Sequence, residues 1–216
     1  MAPKHKKKHI PPKKHQQKLN SNKTTWIAIA AIAVVVIVFG ALAASGIFNS
    51  TPAPIAPTKV LLQTTAGDIT IDLRTDKPIT SGNFINLVKE GKYDNTTFHR
   101  VMSTFMIQGG RVNGNVASIK DEIGSDNHNT KYTIAMAKTS QPNSATSEFF
   151  INTVDNSGIK RYAGFDDTYA VFGTVIAGQD VVDAIANAPV TENPAMDGEN
   201  SLPVNPVTII RASIVS

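Results

Sequence analysis

The sequence of 216 residues contains no cysteine, and this absence excludes several kinds of chemistry at once. Disulfide bonds, thiolate nucleophiles, thiolate zinc sites and lipid attachment to cysteine all require the missing side chain. Histidine is also scarce, because only His99 and His128 lie beyond the first 25 residues. Two histidines cannot form a three-histidine site, and the acidic residues near His128 are typical of a solvated loop. We therefore predict no metal site.

Acidic residues are absent from the start of the chain. All 17 of them lie after position 58, whereas eight lysines lie within the first 23 residues. The net charge of +4 hides this asymmetry, since residues 59–216 carry 13 Lys and Arg against 17 Asp and Glu, a net charge of −4. Such a region lacks the positive charge that nucleic-acid binding requires, so we predict no nucleic-acid partner.

The first 48 residues differ in composition from the rest. Residues 1–25 are rich in Lys, His, Pro and Gln, which is typical of a disordered tail. Residues 26–48 carry no charge, and a helix of this length spans a hydrocarbon core of about 30 Å. We interpret them as one transmembrane helix. A cleaved signal peptide is the alternative, because Ala41-Leu42-Ala43 resembles a cleavage site, but the apolar run is longer than a usual signal core.

The charges on either side of this run predict its orientation. Eight lysines precede it, and the first positive residue after it is Lys59, so the N-terminus is expected in the cytoplasm and the following domain outside it. Residues 49–58 contain three prolines and suit a semi-rigid spacer. We thus predict a single-pass protein of the cell membrane with a basic tail (1–25), a transmembrane helix (26–48), a Pro-rich linker (49–58) and an extracytoplasmic domain (59–216).

The domain has the pattern of short strands. Residues 60–65 and 68–73 alternate apolar and polar side chains around Ala66-Gly67 and predict a hairpin. Helical spacing predicts one helix from about Thr80 to Gly91 and a second over Gln179–Asn187. Their expected buried residues are Phe84, Ile85 and Val88, then Val181, Val182, Ala184 and Ile185. Six further strands are predicted, at Thr97–Val101, Thr104–Gln108, Thr133–Ala137, Glu148–Asn152, Ala170–Val175 and Val207–Val215. Many short strands with two helices indicate a mainly β barrel closed at its ends by helices.

Common enzyme signatures, such as a phosphate-binding loop, a dinucleotide fingerprint or a nucleophile elbow, are missing. Five other segments, in their order and spacing, closely resemble the cyclophilin family: 98–101 (FHRV), 105–110 (FMIQGG), 134–137 (IAMA), 142–152 (PNSATSEFFIN) and 169–175 (YAVFGTV). The resemblance covers nearly all of residues 59–216. It implies a closed eight-stranded antiparallel β-barrel capped by two α-helices. It also implies cis/trans isomerisation of Xaa-Pro bonds in proline-containing polypeptides, without a cofactor.

The chemistry of this reaction explains why its site needs an arginine. Resonance opposes rotation of the peptide bond with a barrier of about 18–20 kcal/mol, but no bond has to break. In the twisted state the prolyl nitrogen regains a lone pair that accepts a hydrogen bond, so a guanidinium beside it binds the twisted amide better than the planar one. The resemblance implies Arg100 for this role, with Gln108 orienting the arginine and contacting substrate. Since no proton is transferred, His99 is expected to be structural.

The proline ring needs a dry pocket beside the arginine. The resemblance implies a set of substrate-binding residues of three kinds. Its members are the pocket residues Phe105, Met106, Phe150 and Ile159, the peptide-pairing strip of Ala137 and Lys138, and Tyr169 on the rim.

Two residues depart from the family pattern. Glu148 stands where glutamine is usual, and Gly158 where a large apolar residue is common. We hypothesise that Glu148 either pairs with the Arg100 guanidinium and tempers activity, or binds basic residues ahead of the proline. These departures support an alternative, a non-catalytic cyclophilin-like module that binds proline-containing peptides. The otherwise complete set of site residues favours the enzyme.

Overall fold

The computed structural model describes residues 52–158 and 164–215. The predicted tail and transmembrane helix, the first residues of the linker, and Ile159 lie outside these ranges. Within them, no helix has the length and apolar character needed to cross a membrane. Residues 52–57 have no regular secondary structure, and the backbone N–H of Ile55 donates a 3.0 Å hydrogen bond to the carbonyl of Thr75.

The described ranges contain eleven strands, two α-helices and one short 3₁₀ helix, Pro194–Met196. The helices are α1 (Pro78–Lys89) and α2 (Gln179–Ala186). The strands are β1 (Thr58–Thr64), β2 (Gly67–Leu73), β3 (Thr96–Thr97), β4 (Arg100–Met102), β5 (Met106–Gly109), β6 (Thr133–Met136), β7 (Phe149–Asn152), β8 (Val171–Ala177), β9 (Val190–Asn193), β10 (Glu199–Pro203) and β11 (Thr208–Val215).

Nine strands form one antiparallel sheet in the order β3-β11-β1-β2-β8-β6-β7-β5-β4, while β9 and β10 form a separate hairpin. The predicted β1–β2 hairpin is confirmed, and the alternation along it places Leu62, Ile69 and Ile71 in the core at 0% exposure. Gly67, the first residue of β2 after the turn, has a φ of 129°, a backbone conformation that residues with a side chain rarely adopt.

The prediction of a closed eight-stranded barrel is wrong, because the hydrogen-bonded order ends at β3 on one side and at β4 on the other. The predicted strand Thr97–Val101 is divided in two. Phe98 donates its backbone N–H to the carbonyl of Val207, whereas His99 donates to the carbonyl of Gln108, so the chain changes neighbour between the two residues. Only two residues, Phe98 and His99, separate the edge strands β3 and β4 in the sequence.

Both predicted helices are present. In α1, Phe84 and Val88 are buried as expected and Ile85 is partly buried against the core. In α2, Val182 and Ile185 are buried, but Ala184 is exposed, contrary to the prediction. The buried side of α2 is completed instead by Ala186, which lies four positions after Val182 and shares its face of the helix, whereas Ala184 lies only two positions after Val182.

The two faces of the sheet carry separate apolar clusters. The larger cluster lies beneath the helices and contains Phe84, Tyr93 and Phe149. A smaller cluster lies on the opposite face and contains Phe105, Phe150 and four other buried residues. Because successive side chains of a strand point to opposite faces, the adjacent residues Phe149 and Phe150 belong to different clusters. The smaller cluster forms the floor of the candidate site.

Candidate active site

The register of three neighbouring strands assembles the candidate site. Arg100 on β4 lies opposite Gln108 on β5, and Gln108 lies opposite Phe150 on β7. Side chains directly opposite one another in an antiparallel pair share a face of the sheet. The arginine, the glutamine and the phenylalanine therefore form one row across the face that carries the smaller cluster.

A cavity of about 570 Å³ opens above this row. Eight predicted site residues line it: Arg100, Phe105, Met106, Gln108, Ala137, Lys138, Phe150 and Tyr169. Of the other predicted residues, Ile159 lies outside the described ranges, and Glu148 is not among the described residues that line the cavity. Gly158, next to Ile159, is exposed with φ of 64°.

Buried aromatic side chains form the apolar part of the cavity. Met106 is 1% exposed and Phe150 is 4% exposed. Phe165 contacts three of the predicted residues, with ring centroids 5.5 Å from Phe105, 5.7 Å from Phe150 and 4.7 Å from Tyr169. Such packed rings hold a fixed shape and exclude water, which suits the binding of a small apolar ring.

The Arg100 guanidinium lies at the border of this apolar surface. Its Cζ atom is 5.9 Å from the centre of the Phe105 ring, within the range of a cation–π contact. Its Nη1 atom is 3.5 Å from Oε1 of Gln108. A fixed positive charge with several N–H groups therefore adjoins a dry cavity, an arrangement that strengthens electrostatic interactions with a bound group.

Glu148 does not pair with Arg100, and that part of the prediction is wrong. Its Oε2 atom accepts a 2.8 Å hydrogen bond from Nε2 of Gln108, and its Oε1 atom accepts one of 2.8 Å from Nε of Arg111. His99 Nε2 lies 3.2 Å from Oε2, although its N–H is not well aligned for a hydrogen bond. Burial raises the pKa of Glu148, but the contacts with His99, Arg111 and Gln108 outweigh burial and lower it to about 2.

The carboxylate that does pair with Arg100 comes from the β9–β10 hairpin. Glu199 Oε1 accepts a 2.8 Å hydrogen bond from Nε of Arg100, and Oε2 accepts one of 2.9 Å from Nη2. Met196 on the same hairpin lines the cavity. The ion-pair partner of Arg100 therefore lies 99 positions away in the sequence.

Four contributors to the site were not predicted: Phe165, Thr168 and Met196, which line the cavity, and Glu199. Phe165 lies four positions before Tyr169, the predicted rim residue. This proximity is the one feature of the sequence that could have indicated Phe165 as part of the site. Residues 189–203 contain three prolines and no alternating pattern, so neither strand of the hairpin that carries Met196 and Glu199 was expected.

The strip on the far side of the cavity is held by its own contacts. The backbone N–H of Ala137 donates a 2.9 Å hydrogen bond to the carbonyl of Glu148. Nζ of Lys138 lies 2.9 Å from Oδ2 of Asp121, and the lysine side chain is only 7% exposed. The Lys138 charge is therefore paired within the domain.

The carboxylates near His128 have partners of their own. Asp121 binds Lys138, Glu122 binds the N-terminus of α1, and Asp126 pairs with Arg74. In the described ranges no three His, Cys, Asp or Glu residues lie together as metal ligands would.

Known proteins resemble the chain in sequence and in fold. The family model of the cyclophilin type peptidyl-prolyl cis-trans isomerases matches residues 59–214. A peptidyl-prolyl cis-trans isomerase of Acinetobacter baylyi is 46% identical over 169 residues, which cover 75% of this chain and 88% of the relative. Another, from Streptomyces antibioticus, is 42% identical over 165 residues, which cover 72% of this chain and 98% of the relative.

Solved structures resemble it as well. A cyclophilin type peptidyl-prolyl cis-trans isomerase of Cryptosporidium parvum superposes with a TM-score of 0.62 at 24% identity, covering 74% of this chain and 99% of the other. Its structure in the presence of the dipeptide Ala-Pro has a TM-score of 0.60 at 26% identity, covering 73% and 99%.

Proposed function

The chain belongs to the cyclophilin type peptidyl-prolyl cis-trans isomerase family, and from this premise we propose that Arg100 stabilises the twisted Xaa-Pro amide while the apolar cavity holds the proline ring. The enzyme class is that of the peptidyl-prolyl isomerases, and the substrates are proline-containing peptides. The observation that carries the proposal is the position of the guanidinium, with Cζ 5.9 Å from the centre of the Phe105 ring at the edge of the cavity.

The mechanism uses two properties of the site. The aromatic floor removes water from the bound amide, and loss of hydration disfavours the planar form, whose resonance separates charge. As the bond turns, the prolyl nitrogen gains a lone pair, and an N–H group of Arg100 that is not bound to Glu199 donates to it. Removing one such donor from an active site typically lowers kcat by about 100-fold to 1,000-fold.

Other residues of the row support the arginine. We propose that Gln108 orients the guanidinium through its Oε1 atom, 3.5 Å from Nη1, and contacts the substrate from the same position. Ala137 and Lys138 lie on the side of the cavity where an extended peptide would pass, and Tyr169 lies on its rim. Their membership of the cavity lining supports the proposed peptide contacts.

The test is a proline-limited peptide assay with the full-length chain and the variant Arg100→Ala. We expect wild type to accelerate isomerisation and the variant to lose most of the rate. Arg211→Ala removes the same charge from an exposed position on β11 and serves as the matched control, with an unchanged rate. A wild-type rate in Arg100→Ala would refute the role of Arg100. Peptide binding by wild type without any acceleration of isomerisation would support the non-catalytic module.

We also propose that the enzyme acts on exported or membrane proteins from the outer side of the cell membrane. In this proposal residues 1–25 are a cytoplasmic tail, residues 26–48 a transmembrane helix, residues 49–58 a linker and residues 59–216 the catalytic domain. The supporting observations are the uncharged run and the eight lysines before it.

Protease added to intact cells tests this topology. We expect the catalytic domain to be digested and the tail to be spared. Protection of the domain would reverse the orientation. A mature chain that begins near Ala43 by mass measurement would identify a cleaved signal peptide instead of a helix that remains.

A further inference from the structure

The β9–β10 hairpin contributes to the candidate site although it lies outside all five segments that resemble the family. Its 3₁₀ helix brings Met196 to the cavity, and its second strand brings Glu199 to Arg100. Glu199 itself is not among the described residues that line the cavity. The described contact of Glu199 with the site is its pair with the Arg100 guanidinium.

The contact between the two side chains is a bidentate ion pair. Both carboxylate oxygens of Glu199 accept hydrogen bonds from Arg100, at 2.8 Å from Nε and 2.9 Å from Nη2. The two side chains are 16% and 27% exposed, so water competes only partly for either partner. Paired N–H···O bonds of this kind fix the plane of the guanidinium as well as its position.

No other described polar contact of Arg100 is comparably short. The Oε1 atom of Gln108 lies 3.5 Å from Nη1, at the limit of a hydrogen bond, and the sulfur of Met102 lies 3.7 Å from Nη2 and is a weak acceptor. A guanidinium carries five N–H donors, so the two bonds to Glu199 leave three on the Nη1 and Nη2 atoms. The long contacts with Gln108 and Met102 occupy these donors only weakly, so these are the donors that can serve a substrate.

The hairpin holds Glu199 in a defined place. Glu199 lies opposite Asn193 in the β9–β10 ladder. The Asn193 side chain accepts a 3.1 Å hydrogen bond from the backbone N–H of Ala195 and donates one of 3.2 Å to Oγ of Ser201. Asn193 and Ser201 are buried, so their hydrogen bonds stabilise the conformation of the hairpin around the 3₁₀ helix.

We propose that Glu199 is a positioning residue of the isomerase: by binding Nε and Nη2 of Arg100 it aims the remaining N–H groups of the guanidinium into the cavity. The inference rests on the proposed role of Arg100. The carboxylate of Glu199 also reduces the positive potential that the guanidinium presents to the cavity. The gain in orientation outweighs this reduction, because small misplacement of a catalytic group lowers rates steeply.

The experiment measures kcat and KM of the full-length chain on a proline peptide. Glu199→Gln keeps the shape of the side chain but loses its charge and one of the two accepted bonds. We expect kcat to fall by about tenfold with KM changed less than about twofold, since Glu199 acts on the turning amide through Arg100 and not on peptide binding. Glu199→Asp, which keeps the charge, is expected to recover part of kcat.

Two further variants isolate the effect. Glu192→Gln removes an equal charge from an exposed position on the partner strand β9, and its kcat is expected to equal that of wild type. Arg100→Lys removes the Nε and Nη2 fork that Glu199 binds. In the Arg100→Lys background, Glu199→Gln is expected to change the residual kcat by less than about twofold, because the two substitutions remove one interaction.

Three outcomes would overturn the inference. These are an unchanged or higher kcat in Glu199→Gln, an equal loss in the Glu192→Gln control, or the same fractional loss with and without Arg100. Full activity of Arg100→Ala would instead refute the proposed function itself, so the two failures are distinguishable. The midpoint of thermal unfolding of each variant checks that the fold is retained.

Discussion

Nε2 of Gln108 donates a 2.8 Å hydrogen bond to Oε2 of Glu148, while Oε1 of the same amide lies 3.5 Å from Nη1 of Arg100. An ionised carboxylate only accepts hydrogen bonds, so Glu148 determines which end of the amide faces the arginine. Glu148 thus acts on Arg100 through Gln108, whereas a direct pair was one of the two hypotheses from the sequence. A glutamine at position 148 offers both a donor and an acceptor and leaves the Gln108 amide free to turn either way.

Replacing Glu148 with glutamine is therefore expected to lower kcat by about fivefold, the difference of about 1 kcal/mol between a charge-assisted and a neutral hydrogen bond. The measurement compares peptides with Lys, Ala or Glu ahead of the proline. Since Glu148 is bound to Arg111 and Gln108, the preference among the three peptides is expected to stay the same. A lost preference for lysine would show instead that Glu148 binds the preceding residue, and unchanged rates would contradict both interpretations.

The low pKa of Glu148 predicts how stability depends on pH. Its folded pKa of about 2 lies below the ordinary value of 4.5, so folding favours the ionised form. The resulting stabilisation is complete above the unfolded pKa and is lost as pH falls through the folded pKa. The midpoint of thermal unfolding is therefore expected to be higher in wild type than in Glu148→Gln at neutral pH, with the difference shrinking below about pH 4.5 and vanishing near pH 2. A difference between the two midpoints that stays constant down to about pH 2 would contradict this assignment.

Local patterns predicted the elements that rely on neighbouring residues. The β1–β2 hairpin and both helices follow from alternation, helical spacing and turn residues, and each was found within a few positions of its prediction. Arg100, Gln108 and Phe150 were expected at the site only through the resemblance to a family. Their alignment in one row was not predicted, because the strand register that produces it is not encoded by any local pattern.

Long-range pairings account for what was missed. Glu199 reaches Arg100 across 99 positions, and an isolated glutamate in a proline-rich segment has no feature that marks it as a partner of an arginine. The division of the predicted strand Thr97–Val101 depends on which backbone each residue meets, Val207 for Phe98 and Gln108 for His99. Single-sequence patterns do not contain that information.

Glu122 is predicted to stabilise the start of α1. Its carboxylate accepts hydrogen bonds from the backbone N–H groups of Ile79 and Thr80, at 3.1 and 2.6 Å, in a helix whose preceding residue, Lys77, makes no side-chain cap. Glu122→Ala is expected to lower the free energy of unfolding by about 1–2 kcal/mol, the usual effect of losing an N-terminal cap. Urea unfolding measures it. Glu90→Ala, at the exposed C-terminal end of α1, is the control, and an equal loss there would contradict the capping role.

Met196 is predicted to affect peptide binding without affecting the turning of the bond. It lines the cavity from the β9–β10 hairpin, is 39% exposed, and makes no described polar contact with Arg100. Met196→Ala removes apolar surface that a bound peptide would cover, and a loss of about 1 kcal/mol corresponds to a KM about fivefold higher. We expect kcat and the midpoint of thermal unfolding to stay close to wild type. Val204→Ala, which truncates a more exposed apolar side chain outside the described cavity lining, is expected to leave KM unchanged. A fall in kcat with constant KM in Met196→Ala would mean that the hairpin acts on the reaction through more than Glu199.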